Sequence, residues 1–222
     1  MRVALLGGTG DIGEGMALRW ARDTDHEIVI GSRNAGKGES RAADYRDRLG
    51  ERGVDTDLSG ADNASAAAGS RIVVASVPPA YAADTIEAVR DDLAEEAIVV
   101  SPAVAMARDD TGFRYDTPAA GSVAEAVAAA APDEVAVVSA FQNLAAGALT
   151  DLDRELDLDV VISGDDGDAK RVVMDLAEEI EGLRALDAGA LANSAEIESI
   201  TPLLINLAMN NDGLHDLGVR FQ

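Results

Sequence analysis

The chain has 222 residues, no cysteine and a net charge of −23, from 41 acidic against 18 basic side chains. The missing cysteines exclude disulfides, iron–sulfur clusters and thiolate zinc sites, and the acidic balance argues against a nucleic-acid partner, which needs a basic surface. No uncharged apolar window is long enough to span a bilayer and Met1-Arg2 leads straight into an apolar run, so no membrane partner and a cytoplasmic location are expected.

Met1 to Leu6 reads as a strand. Gly7-Gly8-Thr9-Gly10-Asp11-Ile12-Gly13 follows and opens an amphipathic stretch that reaches Arg22. This is strand, glycine-rich turn, helix, and Gly8, Gly10 and Gly13 meet the G-x-G-x-x-G spacing of dinucleotide sites. In that motif the glycines allow a tight turn, close approach to a pyrophosphate and close packing of helix on strand. The helix N-terminus then offers free N–H donors to the phosphates. The second strand, from Glu27 to Ile30, decides the nucleotide. NAD sites usually place a carboxylate at its tip for the ribose hydroxyls. Here the tip reads Gly31-Ser32-Arg33, with Lys37 four residues on. A hydroxyl, a guanidinium and an ammonium suit a 2′-phosphate, so NADP is expected rather than NAD. Only two of the 18 basic residues are lysines, Lys37 and Lys170, and one of them stands at this tip. The preference for arginine and the acid excess together read as a halophilic surface, adapted to molar salt where charges are screened within a few ångströms.

Glu39 to Arg52 reads as a polar helix, Val54 to Leu58 as a short strand and Ala61 to Ala68 as an alanine-rich helix. Arg71 to Val77 and Ala97 to Ser101 are near-continuous apolar runs, the mark of strands buried on both faces. A helix from Ala80 to Leu93 lies between them. The stretch from Ala103 to Pro118 has no periodicity and reads as a lid or binding loop. A helix (Ser122 to Ala131), a strand (Val135 to Ser139), a short apolar run (Val160 to Ile162), a helix (Ala169 to Ile180) and a strand (Leu183 to Leu186) follow. Ala190 to Met209 is the longest helical pattern; it is apolar around much of its circumference, contains Pro202, and reads as core or dimer interface. The alternation predicts an α/β fold, a Rossmann-type doubly wound and mostly parallel sheet. Its ligands would bind beyond the carboxyl ends of the strands. Those ends are the Gly7 to Gly13 turn, Ser32-Arg33, Ser76 to Tyr81, Ser101 to Val104 and Ala140 to Leu144.

A carbonyl reductase needs a proton donor near its substrate oxygen. The two histidines, His26 and His215, stand alone, and no metal site is expected. Tyr45 and Lys37 come too early in the chain to face a substrate, and Tyr81 and Tyr115 have no lysine nearby. A second redox ring as substrate removes the need, because hydride can pass between two stacked rings that the protein only positions. An imine or ketone reductase of the pyrroline-5-carboxylate type and a non-enzymatic NADP sensor remain open readings on these residues.

The segments MRVALLGGTGDIG, HEIVIGSR, VVSPAV, ISGDDGDAKRVVM, LRALDAGAL and ESITPLLIN, in this order, resemble the NADPH-dependent reductases of coenzyme F420 found in archaea. The resemblance covers nearly the whole chain. It implies a Rossmann domain over residues 1–150 and a small C-terminal domain over 151–222 that closes a cleft for the deazaflavin, F420. It also implies an enzyme, an F420:NADP oxidoreductase, working as a homodimer. Thr9, Gly10, Asp11 and Ile12 would hold the pyrophosphate, and Ser32, Arg33 and Lys37 the 2′-phosphate. Val77, Tyr81, Val104 and Ala146 would line the adenosine and nicotinamide side, and Gln142, Leu144 and Leu217 the deazaflavin. Gln142 departs from the family, which carries histidine there.

Overall fold

The computed structural model describes residues 1–222. The apolar runs of the sequence become β1 (Arg2–Leu6), β4 (Ile72–Ala75) and β5 (Ile98–Ser101). They lie in the middle of an eight-stranded sheet, with β2 (Glu27–Ser32) and β3 (Leu58–Asp62) beyond β1 on one side. On the other side stand β8 (Ala136–Ser139), β9 (Leu158–Gly164) and β10 (Leu183–Asp187), giving the order β10-β9-β8-β5-β4-β1-β2-β3. The six strands from β3 to β8 are parallel, as a doubly wound fold requires.

Alternate residues of each strand feed two cores. Val3, Leu5, Ile28 and Ile30 face α1 (Asp11–Asp23), α2 (Ala35–Gly50) and α7 (Gly167–Glu178). Ala4, Leu6 and Val29 face α3 (Asn63–Ala67), α4 (Ala82–Ala88) and α5 (Val123–Ala130). Burial on both faces explains why these strands read as continuous apolar runs.

The sheet changes direction once, where β9 runs antiparallel to β8. After β8 the chain makes only α6 (Ala146–Thr150) and a short irregular stretch before β9 begins. No long crossover carries it back to the amino edge, so it enters the sheet from the carboxyl edge. Residues 151–222 therefore add β9 and β10 to the same sheet, joined to each other in parallel through α7.

Several sequence expectations are corrected. The stretch 103–118 is not a loop but carries a hairpin, β6 (Met106–Asp109) and β7 (Gly112–Tyr115). It packs on α9 (Ile200–Asn210), where Asn206 Oδ1 accepts from Phe113 N at 2.8 Å and Nδ2 donates to Phe113 O at 2.6 Å. The strand expected at Val54 to Leu58 lies later, as β3, and α2 starts at Ala35 because Asn34 caps it by accepting from Lys37 N at 3.2 Å. The long C-terminal helix is two helices, α8 (Ser194–Glu198) and α9. The Pro202 ring would clash with the carbonyl of Glu198, four residues back, so the first helix ends there and Pro202 falls in the first turn of the second. No helix is long and apolar enough to cross a membrane.

One buried cation fixes α6 against α1. Arg19 is 1 % exposed and has no carboxylate partner. Its guanidinium donates to the carbonyls of Leu149, Ala148, Asp151 and Arg154, at 3.0, 3.1, 2.6 and 3.0 Å, which gathers in the C-terminal end of α6. Gly15 makes the approach possible, since a Cβ there would lie 2.5 Å from Leu149 Cβ. Arg19→Met leaves those carbonyls without their donor. It is expected to cost at least about 3 kcal/mol, a fall in Tm of roughly 6–12 °C for a chain of this size, read by thermal unfolding of the purified variant.

Candidate functional site

A cavity of about 600 Å³ opens at the carboxyl ends of β1, β2 and β4. Its floor is the glycine turn. Gly7 sits at φ +78°, a region that favours glycine, and its N–H donates to Gly31 O at 3.0 Å. Beneath the turn the buried Tyr45 hydroxyl donates to Gly8 O at 3.0 Å, and burial pushes that phenol well above its ordinary pKa. Ser76 Oγ donates to Leu6 O at 2.9 Å and ties the tip of β4 to that of β1. Gly13 packs α1 against the turn, for a Cβ there would stand 2.6 Å from Gly8 Cα. A Cβ on Gly10 would meet nothing nearer than Gly7 O at 3.6 Å, which leaves open space over the turn.

The start of α1 opens onto the cavity and, like those of α4, α6, α8 and α9, lacks a side-chain cap. Helices α2, α3, α5 and α7 are capped by the side chains of Asn34, Asp62, Ser122 and Asp166. Helix α1 begins at Gly10 with no side-chain cap, so its first N–H groups remain available. Across the cavity, at the tip of β2, stand Ser32, Arg33 and Lys37. Neither Arg33 nor Lys37 makes an ion pair, in a chain with 41 carboxylates. The only carboxylate on the lining is Asp84, from the first turn of α4.

A second cavity, of about 510 Å³, lies between the segment Asn143–Gly147, α9 and the C-terminal tail. Leu144, Leu204, Ile205, Ala208 and Leu217 make it largely apolar, and Asp216 is its only titratable lining residue.

The structure thus divides the residues singled out from sequence. Thr9, Gly10, Ser32, Arg33, Lys37, Val77 and Tyr81 share the first cavity. Leu144, Ala146 and Leu217 share the second. Asp11 and Ile12 form the first turn of α1 beside the first cavity without lining it. Val104 is buried beyond β5 and lines neither cavity. Gln142 is also buried and outside both linings, its Nε2 donating to Val161 O at 3.2 Å. Sequence reasoning missed Asn34, Asn63 and Thr85 on the first cavity and most of the α9 wall of the second. The helix-capping position of Asn34 was a usable signal. The i, i+4 pairs Leu204–Ala208 and Ile205–Met209 mark an apolar stripe, but not which neighbour it faces.

Tyr115 and Glu198 stand apart from both cavities. The Tyr115 hydroxyl donates to Glu198 Oε2 at 2.8 Å, and Glu198 also accepts from Val123 N and Ala124 N at the start of α5. Burial raises the pKa of both side chains, and the contacts are structural.

Residues 2–105, from β1 to just past β5, match the model of a family described as NADP oxidoreductase, coenzyme F420-dependent. The F420-dependent NADP reductase of Methanocaldococcus jannaschii is 43 % identical over 208 residues, which cover 93 % of this chain and 92 % of that protein. The chain belongs to the F420-dependent NADP reductase family. The reductase of Methanothermobacter thermautotrophicus is 36 % identical over 222 residues, covering 99 % of this chain and 94 % of that one. A crystal structure from Arthrobacter sp. FB24, of a protein described as an F420-dependent NADP-reductase, superposes with a TM-score of 0.76 at 26 % identity over 93 % of both chains. The family match over residues 2–105 includes the whole glycine turn and the Ser32-Arg33 tip, while the second cavity lies in the part covered only by the full-length relatives.

Two glycine variants separate fold from site. Gly13→Val drives a side chain into the turn and is expected to cost about 1–3 kcal/mol. Gly10→Ser enters open space and adds a favoured helix cap, so it should leave Tm unchanged or slightly raised. Thermal unfolding of both checks this.

Proposed function

We propose that the protein transfers a hydride directly between NADP(H), held in the first cavity, and the deazaflavin coenzyme F420, held in the second. The observation that carries this reading is Arg33 and Lys37, two cations without ion-pair partners facing an uncapped helix N-terminus across one cavity. That spacing of positive charge suits a dinucleotide with an extra phosphate on its ribose. Family membership, and the names of relatives matched over nearly their full length, support the pairing with F420.

The chemistry supplied by the bound coenzymes is hydride exchange between nicotinamide C4 and deazaflavin C5. The chain's own residues bind and orient. Thr9, Gly10, Asp11 and Ile12 hold the pyrophosphate through the turn and the first N–H groups of α1. Ser32, Arg33 and Lys37 hold the 2′-phosphate. Val77 and Tyr81 border the adenosine and nicotinamide side, while Ala146, expected there, stands in the wall of the second cavity and Val104 lies buried outside both. Leu144 and Leu217 pack on the deazaflavin, and Gln142 supports that wall from behind. No histidine, lysine or tyrosine lines the second cavity, and its one titratable side chain is that of Asp216. Residues 151–222 act as the unit that closes the deazaflavin side.

The same reading makes the protein a cytoplasmic homodimer of a salt-loving cell. Residues 199–211 carry no charge, in a chain of net charge −23. Helix α9 lies in that stretch and buries only Pro202, leaving Leu203, Leu207 and Met209 exposed at 57, 42 and 53 %. Two copies that repel everywhere else can meet on a face without charge. Leu207→Glu is expected to convert the dimer to a monomer of unchanged fold, seen by light scattering on a sizing column together with circular dichroism.

Mixing the protein with NADPH and F420 in about 1 M KCl, where surface charges are screened, should bleach the oxidised deazaflavin. Deuterium at C4 of NADPH should appear at C5 of the product undiluted by solvent; solvent hydrogen there would overturn direct transfer. Arg33→Ala and Lys37→Ala should each raise the KM for NADPH about ten- to a hundredfold, the worth of a charge-assisted hydrogen bond, and leave that for NADH nearly unchanged. Equal losses with both nucleotides would refute the 2′-phosphate assignment.

A further inference from the structure

The C-terminal tail, residues 211–222, leaves α9, contributes Asp216 and Leu217 to the second cavity, and ends beside the start of β9. None of its residues is buried, so apolar packing does not hold it. A polar clasp does. Asp159, the second residue of β9, has a carboxylate with no exposed surface. It accepts from Arg184 Nε at 2.7 Å and Nη2 at 2.8 Å, from Arg220 Nη1 at 2.8 Å and from Phe221 N at 2.6 Å. Arg184 Nη2 reaches on to Phe221 O at 2.6 Å, and Asp159 N donates to Val219 O at 2.8 Å. Arg220 Nε also pairs with Asp157 Oδ1 at 3.2 Å, and nearer the cavity Arg154 Nη2 donates to Asp216 O at 3.3 Å.

Asp159 also reaches the other wall. Its carbonyl accepts from Asn143 Nδ2 at 2.6 Å, and Asn143 Oδ1 accepts from Val161 N at 3.2 Å. Asn143 lines the second cavity next to Leu144. One residue therefore holds both sides, the loop after β8 through its backbone and the tail through its side chain. A buried carboxylate carries a desolvation cost that an apolar residue would avoid, so its use here is geometric: four converging donors fix one position of the tail.

We infer that Asp159 is a positioning residue for the second cavity, clasping the C-terminal tail so that Leu217 stays in the wall that also contains Leu144. The inference rests on the reading of that cavity as the deazaflavin site. Nothing in the clasp touches the first cavity, so its loss should act on one coenzyme alone.

The test uses three variants of the full protein: Asp159→Asn, Arg220→Ala, and a chain ending at Gly218. The truncated chain keeps the buried carboxylate with Arg184, so it remains informative if Asp159→Asn does not fold. Without any coenzyme, carboxypeptidase should trim the tail of Arg220→Ala faster than that of the parent, and Arg220→Lys should restore part of the resistance. In turnover, each variant should raise the KM for F420 roughly tenfold or more, as expected for a misplaced wall, with the Kd for NADPH within about twofold of the parent, the variation of a surface change far from that site. A tail released to carboxypeptidase with the KM for F420 unchanged would overturn the positioning role. An equal loss for NADPH would overturn it as well, in favour of a general loss of structure. If the parent chain fails to turn over F420 at all, the functional reading falls and this inference falls with it.

Discussion

The contact on which both cavities depend is a charge buried without a counter-charge. Arg19 lies in the third turn of α1 and its guanidinium is satisfied by backbone carbonyls from Ala148 to Arg154. An isolated buried cation would be prohibitive in an apolar interior. Here it meets the negative end of a short helix whose terminal carbonyls would otherwise be orphans, so each solves the other's problem. The consequence is spatial. The first cavity sits at the N-terminus of α1 and the second begins at the segment leading into α6. With α1 bolted to α6, the two openings keep a fixed relation while their outer walls are free to differ. Nearby, Trp20 adds an indole N–H bond to Leu176 O at 3.1 Å and an edge-on contact with Phe141, ring centres 5.4 Å apart, extending the tie to α7 and to the end of β8.

The reversal of β9 has a comparable effect on the second cavity. Because β9 enters from the carboxyl edge, its first residues lie where the parallel strands end, the edge at which doubly wound folds bind ligands. Beyond Ser139 the chain no longer pairs as a strand, and the amide side chains of Gln142 and Asn143 take over the bonds to the β9 backbone. Side-chain amides thus replace a ladder and free the main chain to turn into the cavity wall. Gln142 supports the wall from its buried side.

How far the sequence could be read follows from where its signals are local. The first strand, glycine turn, helix and second strand are specified within about one supersecondary unit, each by its own residues. That is why the contents of the first cavity were largely legible: Gly10, Ser32, Arg33 and Lys37 are placed by their immediate neighbours. The hairpin at 106–115 was not, because it covers α9 rather than a core and so shows no clean alternation of apolar and polar residues. Helix α6 was too short to carry a period, and Gly36 and Gly38 disguised the start of α2. The far wall of the second cavity joins α9, the tail and the loop after β8, segments distant in the chain that meet through β9 and through contacts such as Thr201 Oγ1 donating to Gln142 O at 2.6 Å. No local pattern encodes such a meeting, although the composition of α9 announced that something apolar must cover it.

The scarcity of lysine has a practical side. Lys170 is locked, its ammonium 2.7 Å from Asp187 and 3.0 Å from Gly189 O, with 12 % of the side chain exposed. The only other ε-amine in the protein is Lys37, exposed on the rim of the first cavity. Amine-directed reagents therefore meet one free side chain, beside the α-amine of Met1. An isotope-labelled methyl group placed on Lys37, which keeps the positive charge of the amine, turns the molecule into its own reporter of what enters that cavity, with no cysteine to introduce.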